Sequence, residues 1–394
     1  MRIDQLLPSF GRYDAIGNDA RLLKEQLEAK GFRSEIFTDL GHIPGQTRKF
    51  HEYLPFSSRF NILIHHFSIG SDLPYFLRHI DAFKVTRYHN ITPYRYFPYL
   101  SSLESFFRCR EGRWQLGLVR EQSDCFWATS QYNAEELQQQ HFKDGFVLPV
   151  LRRYDKLAQG KACPRLSALL SNSKAKTILF VGRVLPHKAQ HDLIFLLSQY
   201  KRFVSPELRL ILVGVGDDYY GDRLLSKLAA DLKLSICRRP EKLRDFDHDI
   251  LFSGPVSDAE LASYYRSADV FVSLSEHEGF CVPLVEAMFF GLPIMAHKAA
   301  AIPETLGSHP GLIDKQDPVA MLDLLHQLLN CPAEREKHQQ ASLARAEAFT
   351  WQELQRSFDS GLQKILQSHQ QHLARLGESW IQPAGQLQAR PCPQ

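Results

Sequence analysis

Short apolar runs of period two alternate along this chain with longer stretches in which apolar residues recur every three or four positions. In the first half, residues 3–8, 34–38, 61–66, 83–90, 125–130 and 146–150 read as strands, and 20–30, 72–79 and 134–140 as helices, the last capped by Gln131-Tyr132-Asn133. The period is lost over 151–174, which carries Gly, Pro and basic residues and predicts a domain boundary. Strands then return at 177–181, 208–213, 250–252, 270–274 and near 311–313, followed by helices over 318–329, 332–348 and 351–376. Strands that alternate with helices at this spacing predict parallel, doubly wound α/β sheets, one in each half.

Several loops that follow predicted strands carry candidate chemistry. After 270–274 the chain breaks into Ser275-Glu276-His277-Glu278-Gly279, and a helix begins near Pro283, a residue suited to the first helical position. Glu278 stands before that helix and Glu286 in its opening turns. Between them the N–H groups of Phe280, Cys281 and Val282 lack helical partners, and such groups bind phosphates or hydroxyls. After 177–181 come Gly182 and Arg183, then Pro186, His187 and Lys188. Gly182 ends the strand without a side chain, and the two cations can bracket an anion.

In the first half, Gly17 follows the first strand. It either lets the backbone approach a ligand or is a plain turn glycine. The strand from Phe83 ends in His89-Asn90, which places His89 at the carboxyl edge of its sheet, where a lone histidine is commonly structural. His65 and His66 are weaker candidates, because one of two neighbours on a strand faces away from any given site. Val213-Gly214-Val215-Gly216 lacks the third glycine of a dinucleotide fingerprint. Ser257 and Glu260 form a capping box, which accounts for most of the segment from Gly254 to Leu261.

Composition narrows the classes. A length of 394 residues suits two domains, and 44% hydrophobic with 23% charged residues is a soluble globular balance. A net charge of +3 makes no case for nucleic acid, and no nucleic-acid motif accompanies the aromatic and basic stretch 94–114. That stretch, which includes Tyr94, Tyr96, Tyr99, Phe107, Arg110, Arg113 and Trp114, suits either an anionic membrane surface or a helix pair with aromatics inside and arginines in water. Seven dispersed cysteines without a CxxC pair suggest reduced thiols in the cytoplasm. Neither a signal peptide nor an apolar run near the roughly 18 residues of a membrane span is expected.

The order EGF, Pro, EAM, GLP and then Pro303-Glu304, joined to GRVLPHK at 182–188 and RYHNITP at 87–93, resembles the retaining GT-B glycosyltransferases of family 4, also called group 1. The resemblance covers most of the chain and is strongest over 177–306. It implies two Rossmann-like domains facing across a cleft: 1–168 with a returning helix 352–378 on the acceptor side, 175–350 on the donor side, and a flexible tail 379–394. It implies transfer of a hexose from a nucleoside diphosphate sugar, GDP-mannose first and a UDP-hexose second, to a glycan or lipid-linked glycan in bacterial polysaccharide or lipopolysaccharide synthesis. The implied setting is cytoplasmic, with peripheral contact at the inner face of the plasma membrane.

On that resemblance Arg183, Lys188 and Gly182 hold the diphosphate, Glu286 takes the ribose hydroxyls, and the backbone of Val256 meets the base. Glu278 with the N–H groups of Phe280, Cys281 and Val282 orients the sugar, and His89 completes the site on closure. Gly17 alone matches the family's glycine-bearing loop, since Gly11 lies too far upstream. His187 stands where relatives carry an acidic or amide residue, and Ala189 where glycine is usual. Retention would come from attack on the face the diphosphate leaves, a phosphate oxygen taking the proton, with no cofactor and no metal. Asp217-Asp218 are adjacent rather than a DxD, and Asp245, Asp247 and Asp249 sit in a polar segment. Open alternatives are a silent nucleotide-sugar-binding protein, another GT-B enzyme such as an epimerase or a phosphorylase, and a nicotinamide oxidoreductase. A phosphorylase should carry a cofactor-lysine motif and an oxidoreductase a full GxGxxG; neither is found.

Overall fold

The computed structural model describes residues 1–11, 14–97, 103–172, 174–216, 218–238 and 248–377. Tyr99, Asp217, Asp245, Asp247 and the tail 379–394 lie outside them. Two compact units divide the chain: residues 1–93 and 107–152 with the C-terminal residues from Leu354, and residues 94–106 with 153–353.

The first unit is built on β1 (Ile3–Ser9), β2 (Ile36–Leu40), β3 (Arg48–Lys49), β4 (Ile62–Phe67), β5 (Phe83–Tyr88), β6 (Cys125–Ala128) and β7 (Gly145–Val147). All neighbours are parallel, in the order β3-β2-β1-β4-β5-β6-β7. The central strands are buried on both faces, and the period of two divides their side chains between two cores. Leu6, Phe37 and Leu63 pack with Tyr53, Leu73 and Leu77, while Leu7 and Ile36 pack with Phe10 and Ala20.

The second unit repeats the plan with β8 (Lys176–Val181), β9 (Leu208–Val213), β10 (Ile236–Cys237), β11 (Ile250–Gly254), β12 (Val270–Ser273), β13 (Ile294–His297) and β14 (Leu312–Ile313). Its parallel order is β10-β11-β9-β8-β12-β13-β14. Ile178, Phe180, Leu210 and Leu212 face one core, and Leu179, Ile211, Val213 and Phe271 the other. In each sheet the direction of winding reverses once, between β1 and β4 and between β8 and β12. Loops at such a switch point open at the carboxyl edge, where α/β sheets bind ligands.

Three details depart from the sequence reading. The segment read as a boundary contains helices Tyr154–Gln159 and Pro164–Ser171, and Leu157, Leu166 and Leu170 join the core of Leu179 and Phe271. The units therefore part between Arg152 and Arg153 rather than near 168–175. The helix Gln131–Gln139 starts three residues early, because Ser130, not the following residues, caps it through the N–H of Asn133. Gly17 lies within the first turn of the helix Ala15–Ala29, its N–H held by the Asp14 carboxylate at 3.3 Å. The residue read as a possible turn glycine thus belongs to a capped helix start.

The helix Trp351–Arg375 carries the chain back to the first unit from Leu354 onward. Phe358 meets Trp127 edge-on with ring centroids 6.4 Å apart, and the His369 ring lies 2.7 Å from the carbonyl of Arg59. At Gly361 a Cβ would sit 2.8 Å from the Phe146 ring, so glycine is what permits this approach.

Candidate active site

The loops after β8 and β12 flank the switch point of the second unit. Two glycines let the neighbouring loops after β8 and β9 approach: Gly214 has φ +142°, and a Cβ there would lie 2.1 Å from the carbonyl oxygen of Gly182. From Gly182 the chain runs through exposed Arg183 to a short 3₁₀ turn, Pro186–Lys188. The N–H of Glu276 donates to the carbonyl of His187 at 2.8 Å, tying the loop after β12 to this turn. Lys188 Nζ and Glu278 Oε2 then form an ion pair at 2.7 Å, with only 17% and 11% of their side chains exposed. One cation and one carboxylate from different loops thus stand together at the carboxyl edge.

Beside that pair the helix Val282–Phe289 begins, with Pro283 at its second position rather than its first. Its N-cap, Cys281, takes the left-handed conformation at φ 71° and offers no capping side-chain bond. Such backbone strain in a residue other than glycine concentrates at ligand sites. The N–H groups of Phe280 and Cys281 have no partner among the described residues, and that of Val282 precedes the first intrahelical bond. Three donors remain for a ligand at the positive end of a helix. Burial and the neighbouring Glu278 push the Cys281 thiol well above its usual range, so it stays protonated.

Glu286 is buried on this helix, and the Tyr265 hydroxyl donates to its Oε2 at 2.7 Å. The sequence reading misses Tyr265: its position in the buried stretch of the helix Asp258–Ser267 marks it only as core. The capping box of that helix is present as expected, and Val256, directly before it, is half-buried. His187 is enclosed by the rings of Tyr96 and Phe97 at 5.9 and 5.8 Å. Burial, reinforced by Lys188, His277 and Arg183, keeps it neutral. Asp249, from the polar segment noted above, is paired with Lys201 at 2.7 Å and accepts hydrogen bonds from Ser235.

At the switch point of the first unit, His66 and His89 face each other. Their ring nitrogens, His66 Nδ1 and His89 Nε2, are 2.9 Å apart, and His66 Nε2 lies 2.9 Å from Gln5 Oε1. Below them Arg87 grips Asp19 with two bonds of 3.0 and 3.2 Å and donates to the carbonyls of Leu148 and Pro149. Asp19 also accepts from the N–H of Leu151 at 2.7 Å. Burial holds both His66 and His89 neutral; Arg87 adds to it at each ring, His65 at His66, and His66 at His89. His66, set aside in the sequence reading, is therefore the inward member of its pair. His65 points the other way, is buried against the Phe67 ring without a hydrogen-bond partner among the described residues, and has its pKa lowered by burial to about 3.

Ligand atoms of Asp19, His66 and His89 lie within 4.8 Å of one another, a spacing a metal ion could bridge. Both Asp19 oxygens already serve the buried Arg87 cation, and a divalent ion would stand beside that guanidinium; the group is a hydrogen-bonded network. Over 94–114 the split into buried aromatics and solvated arginines does not hold. Phe107 and Trp114 are exposed on the helix Leu103–Gln122, while Arg113 is tucked against Glu136 and Asn90. No helix among the described residues is long and apolar enough to cross a membrane.

A doubly wound unit whose switch-point loops carry Gly182–Lys188 and Glu278–Glu286 is the class of domain that binds nucleotide-linked groups at its carboxyl edge. Residues 166–345 match the model of the family described as glycosyl transferases group 1. The chain is similar to the D-inositol 3-phosphate glycosyltransferase of Thermobifida fusca, 31% identical over 44% of this chain and 39% of the relative. The MMP alpha-(1->4)-mannosyltransferase of Mycolicibacterium hassiacum is 38% identical over 25% of each chain. The lipopolysaccharide 1,2-N-acetylglucosaminetransferase of Salmonella typhimurium is 25% identical over 47% of each. The matches thus span less than half the length of these relatives. Among solved structures, sucrose-phosphate synthase from Thermosynechococcus elongatus aligns with TM-score 0.69 and 18% identity over 93% of this chain and all of that one. Anabaena HepE in complex with UDP-glucose aligns with TM-score 0.68 and 16% identity over 92% and 100%. The fold is that of the GT-B glycosyltransferases.

Proposed function

We propose that the protein is a retaining hexosyltransferase that uses a nucleoside diphosphate sugar, GDP-mannose first and a UDP-hexose second. The observation that carries this reading is the junction of Lys188 and Glu278 at the switch point of the second sheet, beside three free helix N–H groups and the buried Glu286. A diphosphate brings the negative charge that Lys188, Arg183 and those donors lack. In displacing Glu278 from Lys188 it frees that carboxylate to accept from sugar hydroxyls. The cations then stabilise the departing diphosphate as charge develops on it. Glu286, held by Tyr265, accepts from the ribose hydroxyls, Gly182 leaves room for a phosphate, and the backbone of Val256 meets the base.

The acceptor in this proposal is a glycan or lipid-linked glycan of a bacterial polysaccharide or lipopolysaccharide, and a phosphate oxygen of the leaving group takes the acceptor's proton. His89 serves the first unit's share of the work by hydrogen-bonding a ligand hydroxyl. No metal or other cofactor is assigned a part. Peripheral attachment at the inner face of the plasma membrane is supported by Phe107, Arg110 and Trp114, which the 3.6-residue period sets on one exposed side of their helix. The free cysteines among the described residues suit a cytoplasmic protein.

The deciding experiment is a thermal-shift and transfer assay with a panel of nucleoside diphosphate sugars, since a bound donor raises apparent stability by mass action. Stabilisation by one donor together with sugar release or transfer is expected. Stabilisation without turnover on any acceptor would make the protein a binding module, and activity abolished by EDTA and restored by Mn²⁺ would overturn the metal-free mechanism. Sedimentation with anionic vesicles should be lost in Trp114→Asp.

A further inference from the structure

The hydrogen bonds of the first unit's switch point settle which nitrogen of each histidine carries its proton. The Gln5 amide must point its nitrogen at the carbonyl of Ala20, 3.0 Å away, because a carbonyl can only accept. Its oxygen therefore faces His66 Nε2 at 2.9 Å, and that nitrogen must be the donor. His66 is fully buried and neutral, so its Nδ1 carries a lone pair. The only way to fill the 2.9 Å contact with His89 is for His89 Nε2 to donate. The two rings are 14° from parallel with centroids 5.2 Å apart, a separation that fits rings lying edge to edge in one plane around an N–H···N bond.

We infer that Gln5 and His66 are positioning residues which lock His89 in its Nε2–H tautomer, so that it presents Nδ1 as a hydrogen-bond acceptor for a ligand hydroxyl. Nδ1 has no partner among the described residues, and His89 is the one member of the relay that is not fully enclosed, its side chain 6% exposed. The Asn90 backbone that follows is left-handed at φ 75° and is held by side-chain bonds to Asn133 and Glu136 at 2.7 and 3.1 Å, which anchors the ring from the other end. Arg87 completes the lock electrostatically: a second cation on either ring would stand near a guanidinium already committed to Asp19. The inferred ligand chemistry is a hydroxyl that donates to Nδ1; a carbonyl or phosphate oxygen, which can only accept, is refused. This inference rests on the reading of His89 as a ligand contact, but its first test does not.

The test is a long-range ¹H–¹⁵N correlation spectrum of the full chain labelled on histidine nitrogens, with His89 assigned by the signals lost in His89→Asn. The wild-type protein near neutral pH should show His89 with Nε2 protonated and Nδ1 bare. Gln5→Met, which keeps the volume and removes the acceptor, should let His66 turn its proton toward His89 and convert His89 wholly or partly to the Nδ1–H form. In that variant kcat should fall by roughly tenfold, the scale of one lost hydrogen bond, while the KM for donor stays within about twofold. A protonated Nδ1 in the wild type, or an unchanged tautomer in folded Gln5→Met, would overturn the relay. So would coordination shifts of His66 Nδ1 and His89 Nε2 together on adding Zn²⁺, which would make the cluster a metal site. Should Gln5→Met fail to fold, the wild-type spectrum alone decides. The expected tautomer combined with full activity in His89→Asn would leave the relay standing and remove His89 from the functional reading.

Discussion

The two sheets share one winding plan, yet they treat the polar groups at their switch points in opposite ways. The first unit closes all but one of its groups: Gln5, His66, Asp19, Arg87 and the Nε2 of His89 satisfy one another, neutrality is kept by burial, and only His89 Nδ1 stays open. The second unit leaves groups open: three helix N–H donors, an exposed Arg183, and a Lys188–Glu278 pair that an anion can divide. A buried network that is complete holds shape, whereas donors left without partners hold a place for a ligand. Topology alone therefore does not say which switch point binds; the count of unsatisfied groups does.

The contrast can be broken most sharply from the first unit. Asp19→Ala would leave Arg87 buried and unpaired, and should cost roughly 3–5 kcal/mol in denaturant unfolding. A change below about 1 kcal/mol would mean that the network is not sealed. Next in size, Lys188→Ala should lower kcat/KM by an amount equivalent to roughly 2–4 kcal/mol while stability falls less than in Asp19→Ala, since water reaches both partners of its ion pair and can solvate the Glu278 left behind. Unchanged kinetics would remove it from the leaving-group role. Glu286→Ala should weaken donor binding by on the order of 1–3 kcal/mol in calorimetry, with Tyr265→Phe showing a smaller loss in the same direction.

Acid sharpens the comparison differently. The pKa values of His65, His66, His89 and His187 are depressed in the folded protein, so the unfolded chain binds more protons below its ordinary histidine value near 6.5. Stability from these groups is complete above that pH and should decline steadily as pH falls toward the His65 value of about 3, with proton uptake on unfolding. A melting temperature flat from neutral pH down to pH 4 would contradict it. The smallest effect is expected at Cys281. Glycine there relieves left-handed strain of about 1–2 kcal/mol and loses a buried thiol of similar worth, so Cys281→Gly should stay within about 1 kcal/mol of the wild type. Cys281→Val, with a branched Cβ at φ 71°, should be clearly worse in the same melt.

Most of the strand plan was legible because both sheets are buried on two faces and their strands stand out as dense β-branched and aromatic runs. The loops at 182–188 and 278–286 were legible because glycine, proline and charge fall together at strand ends. What escaped the sequence depends on distance. Tyr265 reads as one more core aromatic until Glu286 is brought to it. His66 could be discounted from its neighbour His65, yet alternation was what turned it inward toward a residue 23 positions away. Gly17 looked like loop chemistry because the Asp14 cap that pulls it into a helix is a local bond competing with the turn that glycine alone suggests. The helices at 154–171 were hidden by their shortness, and their allegiance is decided by Leu157, Leu166 and Leu170 finding the core of the second unit.

The return of the helix Trp351–Arg375 to the first unit has a consequence for synthesis. Phe358 and Gly361, which pack on Trp127 and Phe146, leave the ribosome only after the whole second unit has been made. The unit translated first is thus the one completed last. Until its final helix arrives, the side of the first sheet carrying Trp127 and Phe146 must wait uncovered, a nascent-chain hazard that falls on the older half of the molecule.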